Sequence, residues 1–312
     1  MDNLQDIVQS SAPCRLDCGG TLDISTFRLG LSHLSLCTFN IALNMRTRVR
    51  LLPYRKDMVR ISSCGVGAEE YPAGKAPYSS RLGLMFAVAS YFNANGVDIE
   101  IESESPPRSG LGGSSTAAVA LVAAFVKARA QMGKKPFSKE EIVILAYQIE
   151  DGLLPVPCGL QDQLAAAFGG VNAWHWPSSP AEPLFKKVEL LPSDHYTRLE
   201  ERMLLAYCGV THESYDINGR WVRGFMEGDT REAWEEIARS ARQFVDCIAR
   251  QDWKGAVQAM NQEVEIRIGL TPEVFVDIGK NLRKDALKIG CAARFVGAGG
   301  GGCIWALGEK RI

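Results

Sequence analysis

Residues 107–117 read Pro107-Arg108-Ser109-Gly110-Leu111-Gly112-Gly113-Ser114-Ser115-Thr116-Ala117. Before this stretch, Val97, Ile99 and Ile101 alternate with Asp98, Glu100 and Glu102, the period-two mark of a strand with one wet face. After it, Ser114 to Gln131 predicts a long helix whose first half is apolar all round, and so central and buried. A glycine-rich loop between a strand and a buried helix suits anion binding. Glycines let backbone N–H groups approach closely, and the helix N-terminus adds about half a positive charge. Ser114, Ser115 and Thr116 add hydroxyls for phosphate oxygens or a magnesium ion. No Lys-Ser or Lys-Thr closes the loop, so it is not a Walker A loop. The half-wet strand and the lack of an acid about 20 residues on exclude a dinucleotide fingerprint. A glycine turn used only for tight packing is the competing reading.

A second run, Gly297-Ala298-Gly299-Gly300-Gly301-Gly302, lies between two apolar stretches, 292–296 and 303–307, that read as strands. Such a run is entropically unfavourable and marks close approach to a ligand or to another backbone. Between the two runs, Asp162 opens a short helix over Gln161–Phe168 that Gly169-Gly170 ends. A carboxylate there can take a proton from a hydroxyl or hold it in line with a phosphate; it equally suits the helix dipole. Glu150 closes the preceding helix, against the dipole, which hints at another duty such as Mg²⁺ ligation. Near the N-terminus, Arg15, Asp17 and Asp23 flank Gly19-Gly20 and read either as a polyol-binding turn or as an ordinary charged turn.

The wider sequence limits what these residues can serve. At 312 residues, two domains are the default expectation, and a boundary is placed in the Pro-rich, polar stretch 174–192, giving domains 1–180 and 181–312. A formal net charge of -1 argues against a general nucleic-acid binder. The nine cysteines form no CxxC pair and read as reduced, mostly buried thiols. The polar first twelve residues lack a signal-peptide pattern, and the longest apolar stretch, Ala117 to Val126, is too short to span a bilayer. A cytoplasmic protein without membrane partners is expected. Further elements are strands over 47–53, 58–62 and 203–208, and helices over 79–93, 138–150, 231–250, 253–268 and 272–289. Ser138 and Glu141 form a capping box for the 138–150 helix. The mixture lacks regular βαβ alternation, so the class is α+β.

Taken together, three ordered segments resemble the GHMP small-molecule kinases: Ala12-Pro13-Cys14-Arg15-Leu16-Asp17-Cys18-Gly19-Gly20, the 107–117 loop, and 296–302. Within that family the sugar-1-kinase branch is the nearest: Cys158-Gly159-Leu160-Gln161-Asp162-Gln163 is similar to galactokinases, the continuation Gln161 to Gly170 resembles heptose 7-phosphate kinases, and Arg15-Leu16-Asp17 resembles fucokinases. The resemblance implies a ribosomal-protein-S5-like N-terminal domain and a ferredoxin-like C-terminal domain. It implies ATP and Mg²⁺ as cofactors and the anomeric hydroxyl of a sugar or sugar phosphate as acceptor. Asp162 and Arg15 would be catalytic. Pro107, Ser109, Gly110, Leu111, Gly112, Gly113, Ser114, Ser115, Gly299 and Gly300 would contact ATP. Ser114 and Glu150, the latter twelve residues before Asp162, would hold Mg²⁺, and Asp23 and Asp17 would meet the acceptor. Three features depart from the family. Gly113 stands where a serine is usual, one residue is missing before Thr21-Leu22-Asp23, and the chain stops at Ile312 soon after the third motif, where the family usually continues with another helix and strand; either a naturally short C-terminal domain or a truncated chain accounts for that. The alternatives are a kinase of a non-sugar alcohol, such as mevalonate or homoserine, and a silent sugar or ATP sensor with the same fold.

Overall fold

The computed structural model describes residues 6–179, 181–211 and 214–312. In chain order the elements are β1 (Val8–Cys18), α1 (Ser25–Gly30), β2 (Cys37–Pro53), β3 (Met58–Ser63), β4 (Gly67–Pro72), α2 (Gly83–Tyr91), β5 (Val97–Ser103) and α3 (Gly113–Gln131). There follow α4 (Lys139–Asp151), α5 (Gln161–Phe168), β6 (Val171–His175), β7 (Lys186–Leu191), α6 (Tyr196–Glu200), β8 (Met203–Tyr207) and α7 (Ser214–Glu227). The chain ends with α8 (Arg231–Ala249), α9 (Trp253–Leu270), α10 (Asp277–Lys288), β9 (Cys291–Phe295) and β10 (Cys303–Gly308). The α+β class is borne out.

The chain forms two compact units. The first holds residues 1–14, 43–107 and 112–169; the second holds 15–42, 108–111 and 170–312.

In the first unit the strands run β4-β3-β5-β2. β2 and β5 are antiparallel, with Val49 opposite Ile101 and Leu51 opposite Ile99. β3 and β5 are parallel, with Ile61 opposite Ile99. These apolar residues share one face, and α2 and α3 cover it with Phe86, Val119, Leu121 and Phe125 in one core. Polar partners take the other face, where Arg50 pairs with Glu100 and Arg60 with Asp98. The capping box is present: Glu141 N–H donates to Ser138 Oγ and Ser138 N–H to Glu141 Oε2. The predicted 79–93 helix is shorter. Its first turn is replaced by two successive tight turns, Ser80 N–H to Pro77 O and Gly83 N–H to Ser80 O. The Tyr78 carbonyl carbon lies 2.5 Å from where a Cβ on Gly83 would stand, so α2 begins at a residue only glycine can supply.

The second unit contains the antiparallel sheet β8-β10-β9, backed by α9 and α10. It also contains the β6–β7 hairpin, which pairs with residues 37–41 of β2. The Pro-rich stretch 174–192 is thus partly a hairpin, with Trp174 and Trp176 buried. The predicted helix 272–289 is broken. Pro272–Val274 forms a 3-10 turn, Phe275 is extended at φ -112° and ψ 126°, and α10 starts at Asp277. Burial explains the break: Val274 and Phe275 are in the core, and the Val274 carbonyl accepts from Gly300 N–H at 2.9 Å instead of continuing a helix.

Seven of the nine cysteines are buried, with Cys64 exposed and Cys158 between, and no disulfide joins them among the described residues. Among the described residues, no helix is long and apolar enough to cross a membrane.

Candidate functional site

Two constellations hold the residues singled out by sequence, one in each unit. In the first unit, Gly112 caps α3 in the left-handed conformation, φ 74° and ψ 26°, with no side chain capping the helix. Its carbonyl accepts from the Thr116 N–H and hydroxyl, so the turn is held from within. No acidic side chain occupies the first turn of α3. The first-turn amides of this 19-residue helix therefore keep their pull on an anion.

Beside that helix start, α4 delivers Glu150 and α5 delivers Gln163 and Asp162. Glu150 is buried and accepts from Gln163 Nε2 at 2.7 Å, and also from the Ser115 and Ser114 hydroxyls. Burial raises its pKa to about 7, and the nearby charge of Asp162 pushes the same way against the hydrogen bonds. Asp162 sits half-buried in the first turn of α5. The structure thus brings Ser114, Glu150 and Asp162 together.

The chemistry of this donor set fits Mg²⁺. A hard cation takes one or two carboxylates, hydroxyls and substrate phosphates, not an all-protein cage. Ser114 is exposed and Glu150 is held ready by three donors. Gln163 Oε1, also buried, has no partner among the described residues. No group of three or more His, Cys, Asp or Glu residues suited to a metal occurs among the described residues.

Gln163 went unread in the sequence. An amide next to the apolar run Leu164 to Phe168 is the one local signal, and its burial against Glu150 shows only in the fold. Gly113 follows Gly112 in the turn, and a Cβ there would meet only Ser105 Oγ at 3.7 Å. Pro107 is exposed at the end of this unit's loop segment.

In the second unit, the N-terminal motif and both glycine runs lock together. Arg15 N–H donates to Leu111 O at 3.2 Å, and its Nη1 donates to Gly110 O at 2.6 Å. The guanidinium is also 3.8 Å from Asp17 Oδ1. Cys303 N–H donates to Ser109 O at 2.8 Å. A Cβ on Gly110, at φ 79°, would stand 2.9 Å from Val296 O, and one on Gly302, at φ 73°, would run into the Ser109 carbonyl. Gly299 and Gly300 have packing reasons of their own: a Cβ on them would meet Val274 O at 2.5 Å and Ile217 Cδ1 at 2.7 Å.

The N-terminal carboxylates have separate employments. Asp17 is fully buried: Oδ1 accepts from Gly297 N–H at 2.8 Å and Oδ2 from Arg294 Nη1 at 3.1 Å. This places it inside the fold, pinning the third motif. Asp23, also buried, lies in the turn that leads into α1. His212, isolated from the other histidines in the sequence, lies outside the described residues.

Comparison with known proteins agrees with the expected kinship. Residues 82–170 match the GHMP kinases N terminal domain, a span that includes Gly112 to Ser115, Glu150 and Asp162. D-glycero-alpha-D-manno-heptose 7-phosphate kinase of Campylobacter jejuni is 30% identical over 207 residues, 65% of this chain. The match spans only 58% of that relative's length. Mevalonate kinase of Archaeoglobus fulgidus is 28% identical over 290 residues, 86% of this chain and 84% of the relative. Among solved structures, galactokinase of Lactococcus lactis complexed with galactose superposes with a TM-score of 0.74 at 16% identity, covering 98% of this chain and 87% of that one.

Proposed function

We propose that this chain, which belongs to the GHMP small-molecule kinases, transfers the terminal phosphoryl group of ATP to a hydroxyl of a small molecule, most simply the anomeric hydroxyl of a sugar or sugar phosphate. The observation that carries this reading is the cluster of Ser114, Ser115, Glu150 and Gln163 at the open start of α3, with Asp162 beside it.

Phosphoryl transfer passes through a loose transition state whose charge is spread over the phosphate oxygens, so positioning and electrostatics supply most of the catalysis. The first-turn amides of α3 and the Gly110 to Ser115 loop bind those oxygens. Ser114 and Glu150 hold Mg²⁺, which neutralises phosphate charge when bound. Asp162 orients the attacking hydroxyl and accepts its proton. Arg15 supports the transfer by fixing the Gly110 carbonyl and with it the loop's conformation. Asp23 contacts acceptor hydroxyls. The reduced thiols support a cytoplasmic setting.

The sugar acceptor is favoured by the heptose kinase relative and by the segment around Asp162. A non-sugar alcohol is the second reading, favoured by the mevalonate kinase match over most of the chain. Mg-ATP-dependent ADP release decides between them. The acceptor panel is galactose, fucose, mannose, N-acetylhexosamines, heptose 7-phosphate, mevalonate and homoserine, with Asp162→Ala as control. Release with one sugar, lost in the control, supports the sugar reading. Release with mevalonate or homoserine alone replaces it, and ATP binding without release under any acceptor points to the sensor.

A further inference from the structure

Four charged side chains in the second unit are wholly buried: Asp17, Glu263, Arg267 and Arg294. Their charges cancel, and hydrogen bonds join them into one chain. Arg294 donates through Nη1 to Asp17 Oδ2 at 3.1 Å, and through Nε and Nη2 to the two oxygens of Glu263 at 3.1 and 3.2 Å. Arg267 donates through Nε to Glu263 Oε1 at 2.6 Å. Burial alone would raise the pKa of Glu263, yet the two guanidiniums outweigh it and hold the carboxyl at about 2.

The ends of this chain are the informative part. At one end Asp17 accepts from Gly297 N–H, the first residue of the C-terminal glycine run. At the other, Arg267 Nη2 donates to Gly20 O at 2.6 Å and Nη1 to Thr21 Oγ1 at 3.4 Å. The Arg267 guanidinium packs against two indoles, 4.9 Å from the ring centre of Trp221 and 5.1 Å from that of Trp234, and the two rings meet edge to face at 5.5 Å. Trp221 is itself fixed by donating to Thr271 Oγ1 at 2.9 Å. Arg267 is thus held by the indoles and by its hydrogen bonds to Glu263, Gly20 and Thr21.

What it grips is strained. Thr21 has φ 82°, a left-handed conformation that a β-branched residue rarely adopts. Such strain persists where the surroundings over-determine it, and it gathers at ligand clamps. Thr21 O then accepts from Ile24 N–H at 3.0 Å, closing the turn that contains Asp23. Stability alone is a poor reason for such a network, because well-packed apolar side chains often replace buried ion pairs without loss.

We propose that Arg267 is a positioning residue: it holds Gly20 and Thr21 in the strained turn that presents Asp23 to the acceptor, and Glu263, Arg294 and Asp17 tie that turn to the glycine run at Gly297. The proposal rests on the reading of Asp23 as an acceptor contact, and it assigns a task to three residues outside the family motifs.

The test compares the full chain with Arg267→Lys and Thr21→Gly. Lysine keeps the charge but not the fork; Thr21→Gly leaves all four charges in place and frees the turn. Two readouts are taken, amide hydrogen exchange over residues 19–24 by mass spectrometry and separate KM values for ATP and acceptor. The expected result for each variant is exchange at 19–24 faster by about tenfold or more, with the 119–126 segment of α3 unchanged, and an acceptor KM raised about tenfold while the ATP KM stays within about twofold. Unchanged exchange at 19–24, or equal rises in both KM values, overturns the proposal. If Arg267→Lys does not fold, Thr21→Gly is judged by the same two outcomes. Should the wild-type chain turn over no acceptor, the kinase reading fails, and the exchange comparison alone decides the clamp.

Discussion

Gln163 donates through Nε2 to Glu150 Oε2 at 2.7 Å, tying the first turn of α5 to the last turn of α4 inside the protein. This bond places a carboxylate of raised pKa beside the open start of α3.

Without ligand, that carboxylate should make stability depend on pH. The pKa of Glu150 rises from 4.5 to about 7 on folding, so the folded state holds its proton more tightly. Its contribution is most favourable below about pH 4.5 and is lost as pH rises to about 7, a loss of about 3 kcal/mol. Thermal denaturation across this range should show melting temperature falling with pH, and Glu150→Gln should flatten that fall. A slope unchanged by the substitution would remove Glu150 as its cause.

Cation binding follows with the opposite sign. Mg²⁺ with ATP requires the charged carboxylate, so binding releases a proton below about pH 7. The rise in melting temperature on adding Mg-ATP should be larger at about pH 8 than at about pH 5.5 in the wild type. In Glu150→Gln it should be small at both. Calorimetry in buffers of different ionisation enthalpy reads the released proton directly.

Gln163→Leu keeps the volume and removes the donor. Loss of a hydrogen bond to a charged group is worth about 1.5–3 kcal/mol. The Glu150 pKa should rise further, and the apparent Mg²⁺ affinity at neutral pH should fall about tenfold or more. A magnesium titration of turnover checks this; an unchanged midpoint would show that Gln163 does not prepare Glu150.

Asp162 carries two effects that separate cleanly. Asp162→Asn should lower kcat by about 10²–10⁴-fold through loss of the proton acceptor. The same change removes a negative charge that raises the Glu150 pKa, so Mg-ATP should bind more readily at about pH 6.5 in this variant. Weaker binding there would contradict the electrostatic link between the two carboxylates.

Glycines 302 and 113 should respond in opposite ways. Gly302→Ala forces a Cβ against the Ser109 carbonyl at φ 73° and should destabilise by about 2–5 kcal/mol. Gly113→Ser meets only Ser105 Oγ at 3.7 Å and sits at the helix start, so stability should hold or rise by about 0.5 kcal/mol. Denaturant titration of both variants gives the comparison.

Local structure was legible wherever a short-range cause fixes it. The Ser138–Glu141 capping box set the start of α4, and the Gly169-Gly170 pair stopped α5 at Phe168. The alternation of Val97, Ile99 and Ile101 gave β5 its buried face. The 272–289 helix misled because Thr271-Pro272-Glu273 is a sound helix start in isolation, while burial of Val274 and Phe275 and the bond from Gly300 end it within one turn. The same limit hid Gln163, Glu263, Arg267 and Arg294. Each reads as an ordinary polar residue until its partner, distant in sequence, is seen beside it.

By itself the sequence determined the mixed class, the three ordered motifs and the family they resemble, because glycine runs, caps and apolar alternation act through the backbone within a few residues. Tertiary structure alone decided that Glu150 is buried with Ser114, Ser115 and Gln163, that Asp17 pins Gly297 from inside the fold, and that Arg267 holds a strained Thr21. Those facts depend on desolvation and on hydrogen bonds closed across up to 280 residues of chain, and neither is written in any local pattern.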